Sequence, residues 1–188
     1  ATLATEGIAV TLVYVDGTKG WIVTDSGLQS DAPGPVFVTA TGGCVTTCGN
    51  FKMHTFLAPG TFCVSAGGNC AGSNTVDYLV IAGGGGGAST YGGGGGAGGY
   101  RESPGAASGC YTVSPLGVSP AAAVPVSAVP GAYPIVVGGG GVGGTPTYIA
   151  GTTGSLSSFD SIESAGGGGG GVGTTPASML GKDGGSGG

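Results

Sequence analysis

The fold class this sequence predicts is all-β without substantial helix: a small antiparallel β module followed by a β and glycine-rich lobe carried on polyglycine-II-like rods. Three observations support it. Forty-eight of the 188 residues are glycine, against roughly 7% in an average protein, and glycine is poor in helix interiors. Four stretches are uninterrupted glycine: 83–87, 92–96, 138–141 and 166–171. Elsewhere apolar residues recur at period two, the pattern of half-buried strands.

The glycine runs have no side chains with which to build a core. Order there has to come from hydrogen bonds between neighbouring runs. An extended helix with three residues per turn has no internal hydrogen bonds and points every N–H and C=O sideways. Without a Cβ to hold them apart, such rods can bond laterally. At ~3.1 Å per residue, a five-glycine run is a rod of roughly 16 Å. The strict Gly-X-Y period of collagen is absent. A charged content of only 7% argues against a disordered tail kept soluble by charge.

Three segments follow in order. Residues 1–32 are read as a β-hairpin module. Ile8, Val10, Leu12 and Tyr14 alternate with Ala9, Thr11, Val13 and Val15, Asp16-Gly17 opens a turn, and Gly20 to Thr24 returns. Trp21, the one tryptophan, is expected to anchor its packing. Two strands alone are marginal in water, so this unit needs further strands from this chain or from other subunits. Residues 33–43 are read as a connector, marked by Pro33-Gly34-Pro35, with a short strand at Val36 to Ala40. Residues 44–188 are read as the glycine-rich domain, with a β part at 44–82 and glycine rods and loops at 83–188. Within the β part, 51–56, 61–65 and 76–82 predict three antiparallel strands, the last buried on both faces. Val76 to Ala82, Tyr133 to Val137 and Ser157 to Glu163 each run into glycine. That recurrence predicts an imperfect repeat in which a strand continues directly into a rod. Tyr111-Thr112-Val113 is a candidate strand, and prolines at 115, 120, 125 and 130 predict an extended connector.

Charge and cysteine content narrow the function classes. A net charge of −5 with four basic residues speaks against nucleic acid as a partner, since phosphate contacts need clustered Lys and Arg, and excludes a polybasic membrane patch on the same ground. No apolar run is long enough for a membrane-spanning helix. Of five cysteines, Cys44, Cys48, Cys63 and Cys70 are close enough in sequence to predict local disulfides within turns, with free thiols as the alternative, and Cys110 stands alone. Disulfides point to an extracellular setting. The CxxxC and Cx6C spacings are loose for zinc.

No catalytic constellation emerges, so the chain is read as neither an enzyme nor a cofactor or metal carrier. Gly83 to Gly87 satisfies GxGxxG trivially, but the helix and the later acidic residue of a dinucleotide site are missing. Gly181-Lys182-Asp183 places Asp where a P-loop needs Ser or Thr. The acids are scattered singly, and His54 has no assignable nucleophile.

The order of features from 50 to 101 resembles a known family. Asn50 to Phe56, Pro59-Gly60-Thr61-Phe62-Cys63-Val64, Val76 to Gly83 and Gly94 to Arg101 are similar to the glycine-rich domain of bacteriophage tail fibres and other virion proteins, notably of marine and cyanobacterial phages. Ser157-Ser158-Phe159 before Gly166 to Gly171 fits its ending. Residues 6–24 resemble a small β module that often precedes it. The cysteines and the Pro/Ala loop at 114–130 depart from the pattern. The resemblance implies a structural virion protein, a fibre segment or tip on the extracellular side. It implies a homotrimer held to other tail proteins that attaches to a host glycan or outer-membrane protein. It also implies a sandwich of glycine rods whose turns carry receptor specificity: 88–91, the 101–130 loop, 145–148 and 174–179. Tyr91, Tyr148 and Met179 are the receptor-contact candidates. The alternative is an extracellular filament or surface-matrix protein, viral or on a bacterial cell surface, without receptor specificity.

Overall fold

The computed structural model describes residues 9–18, 20–27, 34–69, 72–103, 122–145, 149–173 and 180–186. Among them every regular element is a strand. β1 (Ala9–Asp16) and β2 (Gly20–Gly27) form the expected N-terminal hairpin, with Tyr14 opposite Trp21 and bulges after Thr11 and Tyr14. The Thr18 N–H donates to Asp16 Oδ1 at 2.8 Å and closes the turn. Trp21 meets Tyr14 edge to face at 5.4 Å, yet it remains 65% exposed. Among the described residues β1 and β2 pair only with each other, and the packing expected of Trp21 is that one ring contact.

The core is carried by a five-stranded antiparallel sheet in the order β13–β12–β11–β6–β3. Its members are β3 (Thr39–Thr41), β6 (Gly60–Ala66), β11 (Ala132–Val136), β12 (Ser157–Phe159) and β13 (Ile162–Ser164). Alternation in β6 sends Phe62 and Val64 inward and Cys63 outward. Phe62, Val64, Val80, Val126 and Phe159 form the buried cluster, and Tyr78, Tyr133 and Ile135 pack around it.

Three ladders of two strands flank this sheet: β4 (Cys44–Cys48) with β5 (Phe51–Thr55), β7 (Thr75–Val76) with β10 (Val124–Pro125), and β8 (Leu79–Ile81) with β9 (Tyr100–Glu102). The three strands expected to pair with one another therefore belong to three different sheets. The tight turn at Gly42-Gly43 causes this. Both glycines have positive φ, and a Cβ at Gly42 would sit 2.2 Å from the Thr61 carbonyl oxygen. The turn lays β3 on one edge of β6 while β11 takes the other. A second expectation is corrected at β8. It is not buried on both faces: Val80 is buried while Leu79 and Ile81 are exposed. A two-stranded ladder offers the core only one face.

The region read as a connector is stitched to the lobe. β3 belongs to the central sheet, and Phe37 bridges to Ser73. Asn69 donates through Nδ2 to the Gly34 carbonyl and accepts the Val36 N–H on Oδ1. Likewise Val126 in the Pro/Ala segment is a core residue. The strand expected at Tyr111–Val113 lies outside the described residues.

The cysteines divide between the two readings, disulfide and free thiol. Cys44 and Cys63 are free and exposed. Cys48 is disulfide-bonded, and Cys70 lies outside the described residues. Cys44 and Cys48 cannot pair because they sit four residues apart on one extended strand. That is ~13 Å at strand rise, against the roughly 4.4–6.8 Å Cα separation a disulfide needs.

From β8 onward the strands become rods, as the repeat predicted. β8 runs into rod 1 (82–89), β11 into rod 3 (138–144) and β13 into rod 5 (165–172), while rod 2 (92–99) leads out into β9 and rod 4 (149–156) into β12. Rod 6 (180–186) completes the set.

Ser164 is 1% exposed at the β13–rod 5 junction, and its hydroxyl donates to the Val80 carbonyl at 2.8 Å. Ser164→Ala removes that bond and leaves the carbonyl buried without this donor. A loss of about 1–2 kcal/mol is expected in denaturant unfolding; an unchanged midpoint would show that the junction carries no stability.

Candidate functional site

The rods hold one another by main chain alone, with a period of three. N–H groups of 82, 85 and 88 on rod 1 donate to carbonyls of 99, 96 and 93 on rod 2. Those of 83, 86 and 89 donate to 155, 152 and 149 on rod 4. Rod 3 donates from 141 and 144 to carbonyls 84 and 87, and rod 5 from 167 and 170 to carbonyls 83 and 86. Rod 2 donates to rod 5 from 93, 96 and 99, rod 4 to rod 5 from 151 and 154, and rod 6 to rod 5 from 182 and 185. A repeat of three is what a helix of three residues per turn imposes. These bonds describe two layers of three rods, ordered 2–1–3 and 6–5–4, within one chain.

Close approach explains the glycines. A Cβ on Gly85 would lie 1.9 Å from the Gly168 carbonyl oxygen, and one on Gly151 1.8 Å from that of Gly86. Outer rods need glycine only where they face the lattice. On rod 3 those are Gly138, Gly141 and Gly144, with Cβ positions 2.0–2.2 Å from carbonyls of rod 4, while Gly139 meets nothing within 4 Å.

This architecture sorts the candidate turns. The strand ends of the rods lie over the core, and the rod 1–2 turn lies at the other end together with the described flanks of the rod 3–4 and rod 5–6 connections. Three contacts tie that far end together. The Ser89 N–H donates to the Ile149 carbonyl at 3.1 Å, the Ile149 N–H donates to Ser89 Oγ at 3.0 Å, and Gly92 bridges to Val172. Val172 is 1% exposed beneath the cluster. Gly92 is fixed by the turn, since a Cβ there would lie 2.3 Å from that of Ala88.

Tyr91 is 91% exposed at the tip of the first turn. It and Thr90 have positive φ, 55° and 20°, a conformation uncommon for bulky and β-branched residues. The lattice on either side of the turn holds them there. Tyr148 and Met179 lie outside the described residues, but their turns leave from this same end, between Thr145 and Ile149 and between Gly173 and Leu180. Ile149 and Leu180 are exposed. The 101–130 loop leaves from the other end. Ser103 donates its N–H to the Tyr78 carbonyl, and Val124 pairs with Val76, so both described ends of that loop lie at the strand end.

Other chemistry-bearing groups are structural. His54 Nδ1 lies 2.8 Å from the Gly42 carbonyl oxygen, and its ring packs on Phe62 at 5.1 Å. Asp77 accepts a 2.7 Å bond from the Ser103 hydroxyl, which itself accepts the Tyr78 N–H. An open groove of about 580 Å³ lies among Arg101, Leu156, Glu163 and Asp183. No metal-binding cluster is found among the described residues.

A family model described as a glycine-rich domain matches residues 57–188. The chain belongs to this glycine-rich domain family. The matched domain begins at the β5–β6 turn and takes in all six rods, so the lattice is the body of the family domain. No curated protein and no solved structure matches the chain.

Sequence reasoning missed rods 4 and 6, whose glycines are not in runs. The available signal was Gly151 and Gly154 at a spacing of three. The same spacing marks Gly138, Gly141 and Gly144 on rod 3.

Proposed function

We propose that this protein is a non-enzymatic virion component, a bacteriophage tail-fibre segment or tip, that attaches to the host cell surface through the turns at the far end of its rod lattice. The observation that carries the reading is that the described rod ends flanking all three turns lie at one end, with Tyr91 fully presented there. A rod without side chains tolerates almost any turn at its tip, so a binding surface can vary without disturbing its support. The resemblance of 50–101 and 6–24 to phage fibre sequences supports the virion setting, and the Cys48 disulfide suits an extracellular one. The isolated, apolar N-terminal hairpin suits a homotrimer, in which copies would supply the missing strands.

The turns 88–91, 145–148 and 174–179 contain nine hydroxyl side chains and no charged residue. Aromatic faces and hydroxyls without charge suit a host glycan better than a charged protein surface. The test is adsorption competition with the intact protein. It binds host cells and blocks adsorption, and removal of surface glycan abolishes both. Tyr91→Ala weakens binding by roughly tenfold or more, the scale of an aromatic anchor, and leaves the unfolding midpoint unchanged. Binding that survives glycan removal assigns an outer-membrane protein instead. Failure of the intact protein to bind cells or compete overturns the attachment role.

A further inference from the structure

We propose that the outer face of the 2–1–3 layer is an association surface for a second copy of this chain, with two bare faces continuing one hydrogen-bond lattice. Rod 1 has six lateral bonding directions, an N–H and a C=O for each residue of its three-residue turn. Four are filled, by rods 2, 4, 3 and 5. The N–H groups of Gly84 and Gly87 and the carbonyls of Gly85 and Ala88 have no main-chain partner among the described residues. With rods 4 and 5 behind and rods 2 and 3 beside, the two empty directions lie on the outer face. Rod 3 extends the face: Gly140 and Gly143 are exposed, and their N–H groups are likewise without a partner among the described residues. Gly94 of rod 2 is exposed too.

The occupant follows from what the face lacks. Rods 1–3 carry no charged residue and, beyond glycine, only alanine, Ser89 at the far end of rod 1, and Val142. Unpaired strand edges are ordinarily guarded by charge or proline, and neither stands here. The opposite layer differs: rod 6 carries Lys182 and Asp183, and rod 4 carries Thr152 and Thr153. A partner bearing Cβ atoms would be held off the main chain, so the complement is another bare face with donors and acceptors at the same three-residue pitch. The identical face on a second copy meets that condition, in an isologous pair. This inference does not depend on the attachment role.

The test uses sedimentation of the intact protein over a concentration series, with amide exchange followed at each concentration. The basal species, one chain or one hairpin-held oligomer, is expected to double in mass as concentration rises. Amides of Gly84, Gly87, Gly140 and Gly143 gain protection in step. Lysine is introduced where there is room: Gly94→Lys has nothing within 4 Å of its Cβ, and Gly140→Lys has its nearest atom at 3.7 Å. The double variant keeps its protected lattice amides and associates at least tenfold more weakly; Gly143→Glu does the same. A hairpin-held oligomer persists in all variants and does not mimic this result. Absence of doubling in the wild type, or equal doubling in the variants, overturns the proposal.

Discussion

Gly85→Ala is expected to disrupt the glycine lattice, while Gly94→Ala leaves it intact. The new methyl at Gly85 would lie 1.9 Å from the Gly168 carbonyl oxygen and 2.5 Å from its carbon. Both are main-chain atoms of rod 5, so no side chain can swing away. Rods 1 and 5 must part, which stretches the bonds from Gly167 to Gly83 and from Gly170 to Gly86. Two bonds at a net of about 1 kcal/mol each, with overpacking strain of about 1–3 kcal/mol, give a loss of about 3–5 kcal/mol. At Gly94 the methyl meets nothing within 4 Å, and the residue has no positive φ. Alanine there reduces the freedom of the unfolded chain and is neutral or stabilises by up to about 1 kcal/mol. Denaturant unfolding of the two variants reads the contrast. Equal midpoints would mean that the rods are not in main-chain contact.

Phe62→Ala is expected to cost a similar amount through a different part of the lobe. The ring is 8% exposed and lies 5.1 Å from His54, 6.1 Å from Phe159 and 6.4 Å from Tyr133. Those residues belong to β5, β12 and β11, so one side chain joins the β4–β5 ladder to the two strands that meet rods 3 and 4. Truncating a buried phenylalanine costs roughly 3–5 kcal/mol. Protection is expected to fall in rods 3 and 4 together with the sheet. Leu57→Ala, at an 88% exposed position, stays within about 0.5 kcal/mol. A Phe62→Ala protein as stable as wild type would show that the lattice stands without its β base.

The sequence made the rods legible where glycine is continuous and hid them where it is not. Rods 1 and 5 have neighbours on most sides, so about two residues in each turn of three have no room for a Cβ, as at Gly85 and Gly86 or Gly166 and Gly167, and the runs 83–87 and 166–171 announce them. Rod 4 borders fewer rods and needs glycine only at Gly151 and Gly154, with Thr152 and Thr153 between and Ser155 after them. One of those residues also works in the lattice: Thr152 Oγ1 accepts the Val142 N–H at 2.7 Å. The strands were legible as elements but not as partners. Period two marks β5 and β6 equally well, whereas their placement in different sheets depends on the Gly42-Gly43 turn. Val126 looked like linker because its neighbours are proline and alanine, and its burial comes from β10 pairing with β7 across a long separation. The cysteines misled for a similar reason, since nearness in sequence on an extended strand is distance in space. The sequence placed Tyr91 on a turn, where the structure also has it, but it could not show that the 101–130 loop leaves from the opposite end.

The central claim is that main chain bonded to main chain orders this lobe, and residue-resolved amide exchange tests it most directly. Measured at a dilution where the basal species prevails, Gly83 and Gly86 should be protected and Gly84 and Gly87 should exchange quickly, because the first pair donates within the lattice and the second does not. The same three-residue rhythm should appear at Gly93, Gly96 and Gly99 on rod 2. Uniformly fast exchange through 83–87 and 92–99 would contradict the lattice, and uniform protection without the rhythm would contradict its three-residue geometry.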